Sequence, residues 1–304
     1  MSLKFDDIEF NIEYDAENLH SKTPILFLHG FTGNLNDWKF VENKIPNVFT
    51  PLFIDLIGHG KTSSPENMDL YSSSSQVQYL KKIIDKLKLN EIIICGYSMG
   101  GRLALDFAHE FPNYVNALIL ESTSFGIKDE NESVERIDND IRIAEKLNEM
   151  PLNEFLDFWF ELPLFQSLKK LSEGKLNQIK NERINSNNKI GLQNSLIGFS
   201  TGKMKNYFLF ANYIKMKVLL ITGDLDLKFT EIARTVLPVL QNGNLEIIHD
   251  AGHNTHLEKP EEFLKLINKF LQNILEKKRV LTGKKLMSIK ILYMKKMKAF
   301  QKLQ

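Results

Sequence analysis

Six short apolar runs, each closed by a polar turn, constrain this chain more than any other feature. They are Ile25–Leu28, Val48–Ile54, Ile92–Cys95, Ala117–Leu120, Val218–Ile221 and Leu245–Ile248. Runs of this length read as strands buried on both faces. Helix-like stretches lie between and after them, at Gln76–Lys88, Gly100–Glu110, Thr230–Leu240 and Glu261–Leu275. Alternating strands and helices predict an α/β fold, a mostly parallel sheet flanked by helices with right-handed crossovers. The alternation stops between about Ser122 and Tyr213, a helical, polar stretch punctuated by Pro151 and Pro163. Because the strand pattern then resumes, 122–212 is expected to be a helical lid inserted into a core made of 1–121 and 213–275.

The sharpest local signal is Gly96-Tyr97-Ser98-Met99-Gly100, which follows the strand IIIC and precedes a helix. This is the context a G-x-S-x-G nucleophile elbow requires. A serine on a strained strand-to-helix turn needs small residues two positions before and after it. The helix N-terminus beneath it favours developing negative charge.

Such a serine needs a base, and the base needs an orienting acid, in the chain order Ser, Asp/Glu, His. Of seven histidines, only His249, His253 and His256 lie at or beyond the end of the last strand. His253, in Ala-Gly-His-Asn, sits in a loop over the strand C-termini and is the expected base. His249 is assigned to the strand end, and His256 to solvent or the start of the last helix. The acid should follow VLLITG, where Asp224 and Asp226 both qualify. The Gly-x-x-Asp spacing favours Asp226. An oxyanion hole then takes one backbone N–H from Met99 and one from Phe31, in the first strand–helix loop. His29 and His59 are read as residues that brace loops.

Charge and cysteine content narrow the remaining classes. The formal net charge of the chain is +1, so nothing global steers it to nucleic acid. Residues 276–304 carry ten Lys or Arg against one acid, leaving the body acidic and the extension basic. Its apolar residues fall at helical spacing, which suits an anionic membrane surface only weakly. A disordered extension is the plainer expectation. Cys95 is the lone cysteine, which excludes an intrachain disulfide or a thiolate metal cluster and fits a reducing compartment. The N-terminus has acids where a signal peptide would be apolar, and no stretch approaches 18 uncharged apolar residues. The expected location is cytoplasmic, and no metal or organic cofactor is implied.

HGFTGNLNDW at 29–38, GYSMGGRLAL at 96–105, GDLDLKF at 223–229 and AGHNTH at 251–256 carry a more specific likeness. With VER at 134–136, WFELPLFQSL at 159–168 and NSLIGFSTG at 194–202, the chain resembles the 2-succinyl-6-hydroxy-2,4-cyclohexadiene-1-carboxylate synthases of menaquinone biosynthesis. That family has the α/β-hydrolase fold. The resemblance implies a lyase that eliminates pyruvate from an enolpyruvyl cyclohexene, with Ser98 as a base activated by His253 and Asp226. The implied partner is a small anionic polycarboxylate. Arginine pairs with carboxylates in a planar fork, and this chain has only 6 arginines among 39 basic residues. Arg102 directly follows the glycine pair Gly100-Gly101, four residues past Ser98. Arg136 stands in VER, and Arg183, in ERINSNN, is close to another lid arginine of the family. Tyr97 and Trp159 match residues that line the family's pocket. The alternative within the fold is a serine hydrolase of esters or C–C bonds, which needs fewer arginines.

Overall fold

A computed structural model describes residues 1–276. Met1–Leu264 form one compact unit, and the described residues 265–276 belong to a second. The sheet, the insertion and the site lie in the first. The described residues of the second, 265–276, are helical. The predicted basic extension lies outside the described residues, apart from Glu276.

Eight strands form one sheet in the order β1-β2-β4-β3-β5-β6-β7-β8. They are β1 (Ser2–Phe5), β2 (Ile8–Tyr14), β3 (Thr23–Leu28), β4 (Phe49–Ile54), β5 (Ile92–Tyr97), β6 (Val115–Glu121), β7 (Lys217–Gly223) and β8 (Gly243–Ile248). The pairs β3–β4, β3–β5, β5–β6, β6–β7 and β7–β8 are parallel, and β1–β2 and β2–β4 are antiparallel. All six expected strands are present. The hairpin β1–β2 was not expected, because its signal is alternation rather than a continuous run. Ile8, Phe10 and Ile12 are buried, whereas Glu9 is exposed, so one face meets the core and the other meets water.

The central strands bury both faces. Leu28, Ile94, Leu118 and Leu220 pack with α1 (Ser73–Lys86) and α2 (Met99–Glu110). Phe27 and Phe53, pointing the other way, meet at 5.4 Å between ring centroids, and Phe27 also meets Trp38 at 5.4 Å. Burying each such side chain stabilises the fold by roughly 1.5–3 kcal/mol. Helix α1 follows the 3.6-residue period, burying Val77, Leu80, Ile83 and Ile84.

Between β6 and β7 the chain leaves the sheet for α3 (Glu130–Glu149), α4 (Leu152–Glu161), α5 (Glu173–Ser186) and α6 (Lys189–Gly198). This insertion has its own apolar cluster, centred on Leu147, Phe155, Leu156, Leu168 and Leu192. Phe199, Tyr207 and Ala211, nearer β7, belong instead to the cluster under the sheet. After β7 come α7 (Leu227–Val236) and, beyond β8, the single turn α8 (Thr255–Glu258). Among the described residues no helix is long and apolar enough to cross a membrane.

Candidate active site

Ser98 occupies a turn that few side chains tolerate. Its φ is 48° and its ψ −103°, between the last residue of β5 and the first of α2. Such strain, of order 1–3 kcal/mol, persists only where the surroundings over-determine it. Here Ser98 N–H donates to the Glu121 carbonyl at 2.9 Å, tying the turn to β6. The flanking glycines are required by proximity. A Cβ at Gly96 would stand 2.5 Å from the Gly100 carbonyl oxygen, and one at Gly100 would stand 2.3 Å from that of Leu28. Backbone contacts of that kind cannot give way.

The hydroxyl of Ser98 lies 3.0 Å from His253 Nε2, and His253 Nδ1 lies 2.7 Å from Asp226 Oδ2. These bonds assign Nδ1 as the protonated nitrogen, leaving Nε2 free to accept from the serine. His253 and Asp226 are buried, while Ser98 is partly exposed. Asp226 also caps α7, its Oδ1 accepting from Phe229 N–H at 3.4 Å. The rival acid Asp224 binds His249 instead, at 2.6 Å and away from Ser98, with the His249 side chain largely in solvent.

The loop carrying His253 is held by a carboxylate that no sequence signal pointed to. Glu258 accepts from Gly252 N–H at 2.8 Å and Asn254 N–H at 3.2 Å, and burial raises its pKa. Of the two places expected for His256, solvent is overturned, and it stands instead in α8, the turn before the last helix. It is buried, bonds Glu121 through Nδ1 at 2.7 Å and stacks on Trp38 at 4.4 Å. Glu121 accepts in addition from Thr255 Oγ1 and His256 N–H, so the end of β6 anchors the turn beyond His253.

Phe31 and Met99, the residue after the serine, both line the cavity over Ser98. Met99 opens α2, so its N–H is among those a helix start leaves without an intrahelical acceptor. The Phe31 loop is braced from below. His29 Nδ1 donates to the Gly30 carbonyl at 2.8 Å and its Nε2 accepts Leu56 N–H at 3.0 Å. Burial lowers the His29 pKa to about 4, consistent with this neutral bracing role.

The cavity above Ser98 has a volume of about 920 Å³. Its apolar wall includes Trp159, Phe165 and Phe199, and its cations include Arg102, Arg136 and Lys228. Tyr97 joins this wall with its ring 5.3 Å from that of His253, and Trp159 packs on Phe31 at 4.8 Å. Burial pushes the Tyr97 hydroxyl well above its usual pKa, with the Glu121 charge adding to the effect. Arg102 donates from Nη1 to the Phe199 carbonyl at 2.6 Å and lies over the Phe199 ring at 4.4 Å. Desolvation, then the nearby Arg136, lower its pKa to about 10, so it stays charged at neutral pH. Arg136 is held through Nε by Asp140 at 2.9 Å and keeps a third of its side chain exposed.

Arg183 does not join them, which corrects the expectation that it faces the substrate. It is buried away from the cavity lining and pairs with Asp37 at 2.6 Å, clamping α5 to the turn after the Phe31 loop. Asn187 Nδ2 reinforces the clamp by donating to the Thr32 carbonyl at 2.8 Å. A desolvated arginine needs a desolvated acid, and Asp37 provides it. Lys228 stands in GDLDLKF at 223–229, a segment that carries the resemblance, but the sequence reading takes the acid, Asp226, from that segment and does not single out the lysine as a site residue.

A family model described as the alpha/beta hydrolase fold matches residues 23–260. A Bacillus subtilis (strain 168) protein named putative 2-succinyl-6-hydroxy-2,4-cyclohexadiene-1-carboxylate synthase is 40% identical, over 88% of this chain and 97% of its own. A Klebsiella pneumoniae synthase of that name is 28% identical over 78% of this chain and 88% of its own. Among solved structures, MenH from S. aureus superposes with a TM-score of 0.80 at 31% identity, covering 88% of this chain and 98% of that one. A Thermogutta terrifontis esterase has a TM-score of 0.74 at 21% identity, covering 88% of this chain and 94% of that one, a likeness of fold alone. Identity at this level across nearly the whole length of the relatives places the chain in the α/β-hydrolase fold family and, within it, in the family of the 2-succinyl-6-hydroxy-2,4-cyclohexadiene-1-carboxylate synthases.

Proposed function

We propose that this protein is a carbon–oxygen lyase of menaquinone biosynthesis. It eliminates pyruvate from 2-succinyl-5-enolpyruvyl-6-hydroxy-3-cyclohexene-1-carboxylate to give 2-succinyl-6-hydroxy-2,4-cyclohexadiene-1-carboxylate. The observation that carries the reading is that Arg102 and Arg136 line the same cavity as Ser98, His253 and Asp226. A simple esterase has no need of two guanidiniums there, whereas a substrate with three carboxylates does.

The reaction follows from the substrate. Ring carbon 2 carries the succinyl ketone, which acidifies its hydrogen. Ser98, relieved of its proton by His253 Nε2, takes that hydrogen as a proton. The C–H electrons become the C2=C3 bond by way of an enolate on the ketone oxygen. The C3=C4 pair moves to C4=C5, and the C5–O bond breaks. Enolpyruvate departs, picks up a proton and becomes pyruvate, and no acyl-enzyme forms. The N–H groups of Phe31 and Met99 are suited to the enolate oxygen, as oxyanion-hole donors are to a tetrahedral intermediate. Asp226 holds the His253 tautomer and stabilises the imidazolium that forms. Tyr97 and Trp159 shape the wall against the ring. The substrate is thus a small anionic molecule, and the reaction suits a cytoplasmic enzyme.

The test is pyruvate release from the enolpyruvyl cyclohexene, coupled to lactate dehydrogenase, against Ser98→Ala and Arg102→Ala. A rate well above spontaneous elimination, abolished in the first variant and strongly reduced in the second, is expected. A wild-type rate equal to background, alongside cleavage of simple esters, would overturn the lyase and leave a serine hydrolase.

A further inference from the structure

The substrate named above carries three carboxylates, on the ring, on the succinyl arm and on the enolpyruvyl group. The cavity that Ser98 lines is also lined by Arg102 and Arg136, and Arg183 is committed to Asp37. Two further cations of the lining, Arg142 and Lys146, stand on α3 with Glu145 and Glu149 beside them, and Lys146 lies over the Phe158 ring at 5.1 Å.

Lys228 is placed differently. It is the second residue of α7, two positions after Asp226. Its Nζ lies 5.8 Å from the centre of the Phe229 ring, and that ring lies 4.5 Å from the ring of His253. The ammonium therefore stands one ring away from the base. No ion pair joins it to a described residue. The location is electrostatically adverse in two respects. The first turn of a helix favours anions over cations, and the acid at this end of α7, the N-cap Asp226, is already bonded to His253. Desolvation at the cavity wall, then the neighbouring Arg136, lower its pKa, against a smaller opposite pull from Asp226, Asp140 and Glu132. A cation held against those costs, facing a cavity, is relieved by an anionic ligand.

We infer that Lys228 is a carboxylate-binding residue of this site, sharing with Arg136 one carboxylate of the substrate; the assignment rests on the pyruvate-eliminating reading above. It sets affinity and selectivity for a polyanion, and it takes no proton in the reaction.

Steady-state pyruvate release by Lys228→Ala, Lys228→Arg and Lys228→Glu tests it. Losing one charge-assisted bond should raise KM about tenfold or more in Lys228→Ala, with kcat within about threefold. Lys228→Arg should recover most of the affinity, and Lys228→Glu should be worse than alanine. An unchanged KM in Lys228→Ala overturns the inference. So does an arginine variant as impaired as alanine, which would mean that the stem only packs. Quenching of Trp159 fluorescence by succinate supplies a readout without turnover. Weaker succinate binding in Lys228→Ala supports the anion site even if the wild type releases no pyruvate, an outcome that would sink the lyase reading alone.

Discussion

Two histidines that take no part in the chemistry should set this protein's acid stability. His29 and His59 are buried with ring centroids 5.2 Å apart. His59 Nδ1 donates to the Ile57 carbonyl at 3.1 Å, and its Nε2 has no partner among the described residues. Burial is the main cause of both shifts, lowering His29 to about 4 and His59 to about 3, with the neighbouring His29 pushing His59 further down. Unfolded, each ring titrates near its ordinary value of about 6.5. As the pH falls, the unfolded chain therefore takes up protons before the folded one does. Their contribution is intact above about pH 6.5 and drains away as the pH falls from there toward the folded values. At pH 5 the unfolded ring gains about 1.5 pH units of proton binding that the folded ring does not, worth about 2 kcal/mol per histidine. Burial raises the Asp55 pKa, so that carboxylate acts in the opposite direction. His59→Asn keeps a donor near the Nδ1 position and removes the titrating ring. Urea unfolding at pH 7 and pH 5 measures the stability of each protein. The wild type should lose about 2 kcal/mol more than His59→Asn between the two. Parallel losses would refute the reasoning, because His59 would then be protonated as readily folded as unfolded.

Three further substitutions probe the site and its supports. Gly100→Ala forces a Cβ to 2.3 Å from the Leu28 carbonyl oxygen; thermal melts should show a loss of about 1–3 kcal/mol, with pyruvate release lost as Ser98 shifts. Asp226→Asn leaves His253 free to adopt the wrong tautomer and should cut kcat by about 10³–10⁴, whereas Asp224→Asn, in the exposed pair with His249, should leave it unchanged. Arg183→Met strands Asp37 as a buried unpaired charge and should cost about 3–5 kcal/mol, most of it recovered in the double variant with Asp37→Leu. Stability of Arg183→Met equal to wild type, with only KM raised, would restore Arg183 to the substrate.

Local order in the chain was enough for the sheet and the serine. A run such as IIIC followed by G-Y-S-M-G has few conformations open to it. A buried parallel strand, a turn that excludes side chains at Gly96 and Gly100, and a helix beginning at Met99 all follow from short-range sterics. The order Ser98, Asp226, His253 could likewise be read from the loops that follow strands, because strand C-termini share one edge of a parallel sheet. The hairpin β1–β2 was legible only as alternation, and the charges at Glu9 and Glu13 masked it.

Long-range partners decided the rest. Arg102 and Arg183 are the same residue type in helices, yet one faces the cavity and the other is sealed against Asp37, 146 positions away in the chain. Nothing in ERINSNN records that partner. His256 could be called solvent-facing until Glu121 and Trp38, from distant elements, closed over it. Lys228 acquires meaning only when the insertion brings Arg136 to the same cavity, which His253 also lines. Backbone sterics act over a few residues and are written in sequence order. The burial that pairs, neutralises or frees a charged side chain depends on which surfaces meet in the folded chain.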